Sequence, residues 1–202
     1  MSVDTRLGWL DGVFLDTKEA KILLDPSSGK AIEKGSQIFI SHAHADHTYG
    51  FGSSSRKFAT VETRRIHEEV KGREVKDSTE ISTNRSIRVG DAEIIAIDAG
   101  HMLGSVQFKI SLPEKTIVYT GDLNCVDTLT TVGAEAPECD ELVMEATYGT
   151  PRYTFPNREE TYARIVGWSL RQVRANRVPV FHVYAAGKAQ EIIKLFNTYT
   201  KI

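Results

Sequence analysis

The run Ser41-His42-Ala43-His44-Ala45-Asp46-His47 puts four potential metal ligands into six residues, directly after the apolar stretch Gln37-Ile38-Phe39-Ile40. Neutral imidazoles and carboxylates are the donors that a borderline cation such as zinc accepts. His42 and His44 are two apart, so in extended chain their side chains point the same way and can share one ion. Asp46 and His47 fall where the chain turns and can address a neighbouring ion. A merely histidine-rich polar loop is the alternative. Against it, 4 of the 6 histidines in the chain occupy this run or the comparable position His101.

Other acidic and imidazole side chains follow the same pattern. Glu93-Ile94-Ile95-Ala96-Ile97 reads as a strand ending at Asp98-Ala99-Gly100-His101, and Thr116-Ile117-Val118-Tyr119 as one ending at Thr120-Gly121-Asp122. Leu142-Val143-Met144 leads into Glu145-Ala146-Thr147-Tyr148-Gly149. Strand ends that meet along one sheet edge bring distant residues into a single site. Two ions account for the set. His42, His44 and His101 would hold one; Asp46, His47 and a bridging Asp122 would hold the other. Such a pair lowers the pKa of a shared water, so that hydroxide is available as nucleophile at neutral pH. Glu145 is expected to orient a ligand histidine or the water, the alternative being a carboxylate that faces solvent.

The elements that must position these residues are mostly short strands. Val13-Phe14-Leu15 and Ile22-Leu23-Leu24 read as a hairpin, and Ile38-Phe39-Ile40 as a strand buried on both faces. Phe58-Ala59-Thr60 leads into a helix from Glu62 to Val70, with Ile66 and Val70 four apart on one side and His67 on the surface. Val106-Gln107-Phe108-Lys109-Ile110 alternates as a strand, paired through a turn at Pro113 with Thr116–Tyr119. Beyond Pro156 the period changes. Asn157 with Glu160 resembles a capping box, and Tyr162, Ile165, Val166, Ser169, Leu170 and Val173 mark one helix face. Residues 178–184 read as a strand, and Ala185-Ala186-Gly187-Lys188 opens a second helix towards Asn197. His182, inside that strand, is expected to be a packed core residue.

With 202 residues, 22.5 kDa and 41% hydrophobic content, the chain can bury a substantial core. No apolar run approaches the ~20 residues of a membrane span, and Met1–Arg6 lacks export-signal character. A cytoplasmic protein with Cys125 and Cys139 reduced is expected. Charge is uneven: residues 1–150 carry 16 Lys+Arg against 24 Asp+Glu, and residues 151–202 carry 9 against 3. The basic end is either a solvated helix face or the footprint of a polyanion.

His42-Ala43-His44-Ala45-Asp46-His47, Gly100-His101 and Thr120-Gly121-Asp122 resemble, in order, the ligand motifs of the metallo-β-lactamase superfamily. That resemblance implies an α/β fold, the αβ/βα sandwich, with a site for two zinc ions at one edge. Ala99–Ser105, Tyr119–Asp122, Glu145–Gly149 and Val183–Gln190 are similar to the beta-CASP group, which processes nucleic acids. Tyr148–Tyr153 resembles DNA-ligase-associated exonucleases and archaeal exonucleases of messenger-RNA 3′-end processing. The implied organisation is a catalytic core over 1–150 and the start of a cap segment over 151–202. The implied activity is metal-dependent phosphodiester hydrolysis of RNA or single-stranded DNA, with Lys188, at a helix start, and Arg152 as phosphate contacts. The superfamily also contains thioester and lactone hydrolases, and a non-catalytic nucleic-acid-binding subunit is a third possibility. The group's later histidines, one of them a ligand of the second metal, have no counterpart before Ile202, where the sandwich would be incomplete. The chain is therefore expected to be a fragment, to be completed by a second polypeptide or another copy of itself, or to have lost full activity.

Overall fold

The computed structural model describes residues 5–199. The first four residues, part of the stretch without export-signal character, and the chain end at Ile202 lie outside that range. Eleven strands form two sheets among the described residues. The first sheet has the order β1 (Arg6–Trp9), β2 (Val13–Asp16), β3 (Lys21–Leu24), β4 (Ser36–Phe39), β5 (Arg56–Thr60) and β6 (Ser78–Ile81). Its first three strands are antiparallel; β3 to β6 run parallel. The second sheet joins β7 (Ser86–Val89), β8 (Ala92–Asp98), β9 (Val106–Ser111) and β10 (Thr116–Tyr119) antiparallel, then adds β11 (Glu141–Val143) parallel to β10.

The sheets pack face to face because each strand turns alternate apolar side chains towards the other sheet. Leu15, Ile22, Leu24, Phe39 and Phe58 of the first meet Ile94, Phe108, Ile110 and Ile117 of the second in one core. At its centre Phe39 stacks on Phe58 (centroids 4.5 Å apart) and takes the edge of Phe108 at 5.3 Å. Leu23, Ile38, Ile40 and Ala59, on the opposite pleats, form a second cluster with Phe51 and Val75. β4 is thus apolar on both faces, as expected of a strand parallel to both neighbours.

α1 (Val61–Lys71) follows β5, capped by Thr60, whose side chain accepts from the Thr63 amide. Thr63 Oγ1 in turn donates to the Gly104 carbonyl at 2.9 Å, which fixes the rotation of the helix. The inward residues are consequently Thr63 and His67, whereas Val70 is 55% exposed. The expected surface position of His67 is corrected by this rotation. His67 packs against Phe51, with centroids 4.7 Å apart.

The chain divides into two compact units, one of residues up to Asp127 with Thr131–Glu145, the other of Thr128–Thr130 with Ala146 onward. In the second, Asn157 caps α2 (Arg158–Arg174) by accepting from the Glu159 and Glu160 amides. α2 meets α3 (Lys188–Tyr199) through Arg158 and the Tyr162 hydroxyl, both bonded to Glu191. Residues 178–184, expected as a strand, are not one. Pro179 offers no amide, no strand pairs with the segment among the described residues, and Val178 and Val180 are 85% and 78% exposed. His182 is exposed with it rather than packed in a core.

Phe39→Ala should destabilise the first unit by about 3–5 kcal/mol, since an aromatic ring packed on both sides is replaced by a cavity. Chemical denaturation followed by circular dichroism measures this. An unchanged unfolding midpoint would contradict the assignment of the inter-sheet core to this ring.

Candidate metal centre

Four strands of the first unit end at one edge and deliver its polar residues. Asp25 follows β3, the His42–His47 loop follows β4, His101 follows β8, and Asp122 follows β10. β3 and β4 are parallel neighbours with Leu24 opposite Phe39, so the residues just beyond them lie side by side. The Ser41 amide donates to Asp25 Oδ1 at 2.7 Å, and the Val106 amide donates to the Ser41 carbonyl at 2.9 Å, tying the two sheets together at this edge. Gly121 brings Asp122 in. Its φ is +52°, and a Cβ there would lie 2.5 Å from Ser41 Oγ, so only glycine permits this approach.

Three imidazoles and a carboxylate converge at this edge. His44 Nδ1 lies 3.1 Å from His42 Nε2 and 3.1 Å from His101 Nε2; Asp122 Oδ2 is 3.7 and 3.6 Å from the same two Nε2 atoms. Ligand atoms of these four residues lie within 4.8 Å of one another. A tetrahedral ion with bonds of about 2.0–2.1 Å spaces its donors about 3.3–3.4 Å apart, so both the spacing and the donor chemistry fit a divalent cation. Burial, reinforced by the neighbouring imidazoles, drives the pKa of His42 far down and keeps the ring neutral.

Asp25 decides which nitrogen faces the centre. It sits at φ 45°, in the left-handed region that aspartate tolerates, and is buried. Its carboxylate accepts from the Ser41 amide and hydroxyl, from His47 Nδ1 at 2.9 Å and from the Tyr119 hydroxyl at 2.9 Å. Because the single Ser41 proton goes to Asp25, Ser41 Oγ is left to accept from His42 Nδ1, 2.9 Å away. Both His42 and His47 therefore carry a proton on Nδ1 and turn Nε2 inward. Burial opposes charge on His47, but the Asp25 hydrogen bond and the charges of Asp25, Asp122 and Asp46 outweigh it and raise the pKa to about 8. The same acidic surroundings favour a cation at Nε2. Asp122, by contrast, is raised, first by burial and then by Glu145 and Asp46, against the pull of His47.

The remaining expected residues are distributed as follows. His47 Nε2 faces Asp122 Oδ1 at 3.5 Å and Asp46 Oδ2 at 3.7 Å, so Asp122 turns one oxygen to His42 and His101 and the other to His47. Asp46 itself is 79% exposed at its side chain and stands outside the converging group. Glu145 Oε1 accepts from the Leu123 amide at 3.1 Å, bracing the backbone just after Asp122. Arg152 and Lys188 belong to the second unit; Arg152 lies over the Tyr153 ring and bonds its hydroxyl, and Lys188 begins α3. Cys125 and Cys139 are free thiols, as expected. Asp25 was not among the expected site residues. Its signal was present, because Leu23-Leu24-Asp25 is one more polar residue directly after an apolar strand.

Residues 3–185 match the family model of the beta-lactamase superfamily domain. The chain belongs to this superfamily. Within it, the relatives are proteins of the beta-CASP nucleic-acid-processing group, in line with the resemblance of the motifs. The chain is 26% identical over 221 residues to the RNase J-like protein of Methanocaldococcus jannaschii, covering 94% of this chain and 52% of that protein. It is 26% identical over 183 residues to RNase aCSPSF2 of Saccharolobus solfataricus, covering 77% and 37%. To cleavage and polyadenylation specificity factor subunit 3 of Dictyostelium discoideum it is 31% identical over 109 residues, covering 53% and 14%. The superfamily chain thus spans about half the length of the Methanocaldococcus relative, and less of the others. A solved structure of a protein of unknown function from Enterococcus faecalis V583 shares the fold, with a TM-score of 0.57 and 16% identity over 80% of this chain and 54% of that one. No described helix is long and apolar enough to cross a membrane.

Asp25→Asn should weaken zinc binding about 10–100-fold, because an amide cannot serve as acceptor to the same four donors and His47 and His42 lose their fixed tautomers. Competition with a chromogenic chelator reads the affinity, and circular dichroism checks the fold. Unchanged affinity would remove Asp25 from this role.

Proposed function

We propose that the superfamily edge site holds zinc and hydrolyses phosphodiester bonds in nucleic acid, as an exonuclease or another RNA- or DNA-processing enzyme. The observation that carries this reading is the convergence of His42, His44, His101 and Asp122 on one point, in a chain whose relatives are named as RNases and cleavage factors. His42, His44 and His101 would hold the first ion with Asp122 Oδ2. Asp122 Oδ1 and His47, with Asp46, would address a second. Zinc, when bound, polarises a phosphoryl oxygen and acidifies water. The protein's part is positional. Asp25 keeps the Nε2 atoms of His42 and His47 turned inward, Glu145 braces the backbone after Asp122, and the neutral, buried His42 has no proton on Nε2 to compete with a cation.

Arg152, Lys188 and the arginines of α2 are read as phosphate contacts supplied by the basic second unit. The exposed apolar residues of 178–184 are read as the place where further chain, from a partner polypeptide or a second copy, pairs with the protein. RNA or single-stranded DNA is the proposed substrate, and a cytoplasmic setting accompanies this reading.

Zinc-loaded protein should cleave labelled single-stranded RNA or DNA, and chelation should stop it. Asp122→Asn should lower the rate by more than the ~10–100-fold that supporting residues cost, with far-ultraviolet circular dichroism unchanged. Full activity in that variant would contradict the two-ion arrangement. Hydrolysis of a thioester with both polymers left intact would replace the nuclease reading with that of a small-molecule hydrolase.

A further inference from the structure

The opposite end of the sandwich carries a second feature that the metal centre does not use. A groove of about 530 Å³ runs between the β2–β3 turn, the amino ends of β4 and β5, and the β7–β8 turn. Five cations line it: Lys18, Lys21, Lys34, Arg56 and Arg88. Glu19 is the one acidic residue among its lining. This stands against the background of a region in which Asp+Glu outnumber Lys+Arg by 24 to 16 over residues 1–150.

Some cations of the same unit are neutralised locally. Lys30, Arg64 and Lys115 are each held by carboxylates. In the groove, Lys21 pairs with Glu33, but Lys18, Lys34, Arg56 and Arg88 are in no ion pair among the described residues. Arg56 is nonetheless fixed: Nε donates to Thr79 Oγ1 at 3.2 Å, and the guanidinium lies 4.8 Å from the Phe58 ring centroid. The walls are fixed too. Thr17 Oγ1 bonds Asp91, and Gly90, at φ +58°, sits so close to Glu19 that a Cβ would come within 2.9 Å of its backbone. Two turns from different sheets are thereby locked together, and the groove is formed before any ligand arrives.

We propose that this groove is a second contact for the phosphate backbone of a single-stranded nucleic acid, gripping the strand away from the metal centre. The inference rests on the nuclease reading above and extends it to how a long substrate is held. A lone phosphate suits the site poorly. Its unpaired cations are exposed and well hydrated, so each contributes little alone, whereas a polyanion gains from releasing counterions at several positions together. Lys21 starts β3 and Asp25 follows its end, so groove and metal centre stand at opposite ends of a strand about 13 Å long, and only a long oligonucleotide passing round the outside of the sheet could touch both.

The test compares the wild-type protein with the triple variant Lys18→Gln/Lys34→Gln/Arg88→Gln, all three being exposed side chains outside the metal centre. Fluorescence anisotropy would follow binding of labelled single-stranded RNA and DNA of about 20 and about 4 nucleotides across a salt series. For the long strand, the variant's log Kd against log salt should flatten by about 2, from about 0.7 per phosphate contact. Binding and cleavage of the short strand should be unchanged, and inorganic polyphosphate should compete with the long strand more weakly on the variant than on wild-type protein. An unchanged slope, or equal losses on both lengths, overturns the groove while the nuclease reading stands. Wild-type protein that binds polyphosphate through these residues but neither oligonucleotide overturns both.

Discussion

Asp25 is a buried carboxylate that survives burial only because it is surrounded by donors: an amide, two hydroxyls and an imidazole N–H. An ion of that kind, taken out of water with fewer partners, would cost several kcal/mol. Those partners come from two places in the chain, the loop after β4 (Ser41 and His47) and the end of β10 (Tyr119), so Asp25 fixes their relative positions as it is satisfied. The orientation of two histidines, the approach of Gly121 to Ser41 and the joining of the two sheets at this edge all depend on that single acceptor. The electrostatics follow from it as well. Tyr119, buried and beside the Asp25 charge, is pushed well above the usual phenol range and stays a neutral donor.

The same layout explains how one scaffold can separate its tasks. Parallel strands β3 to β6 share a direction, so their carboxyl ends gather at one edge and their amino ends at the other. Histidines and carboxylates fill the first edge; lysines and arginines line a groove at the second. An acidic, histidine-rich edge and a basic groove are thus kept a strand length apart, where neither neutralises the other.

Much of this was legible in the sequence. Polar residues directly after short apolar runs marked His42, His101, Asp122 and Glu145, and all four lie at one edge of the sandwich. What could not be read was orientation. Whether His67 faced in or out was decided by Thr63 bonding Gly104, a contact across 41 positions. Segment 178–184 has strand composition, yet a strand exists only where another backbone pairs with it, and none does among the described residues. Asp25 escaped attention because it is a single acid before Pro26, with none of the spacing that made the histidines conspicuous. β1, β5 and β6 are short and carry polar residues such as Arg6, Arg56 and Glu80, so pairing rather than periodicity establishes them.

The central claim is that the imidazoles of His42, His44 and His101 and the carboxylate of Asp122 surround a cation. Anomalous diffraction at the zinc edge, on crystals grown with zinc, measures this most directly. A strong peak is expected, bounded by His42 Nε2, His44 Nδ1, His101 Nε2 and Asp122 Oδ2, with Asp25 still bonded to His47 Nδ1. No peak at that point, with the three rings turned away from one another, would contradict it.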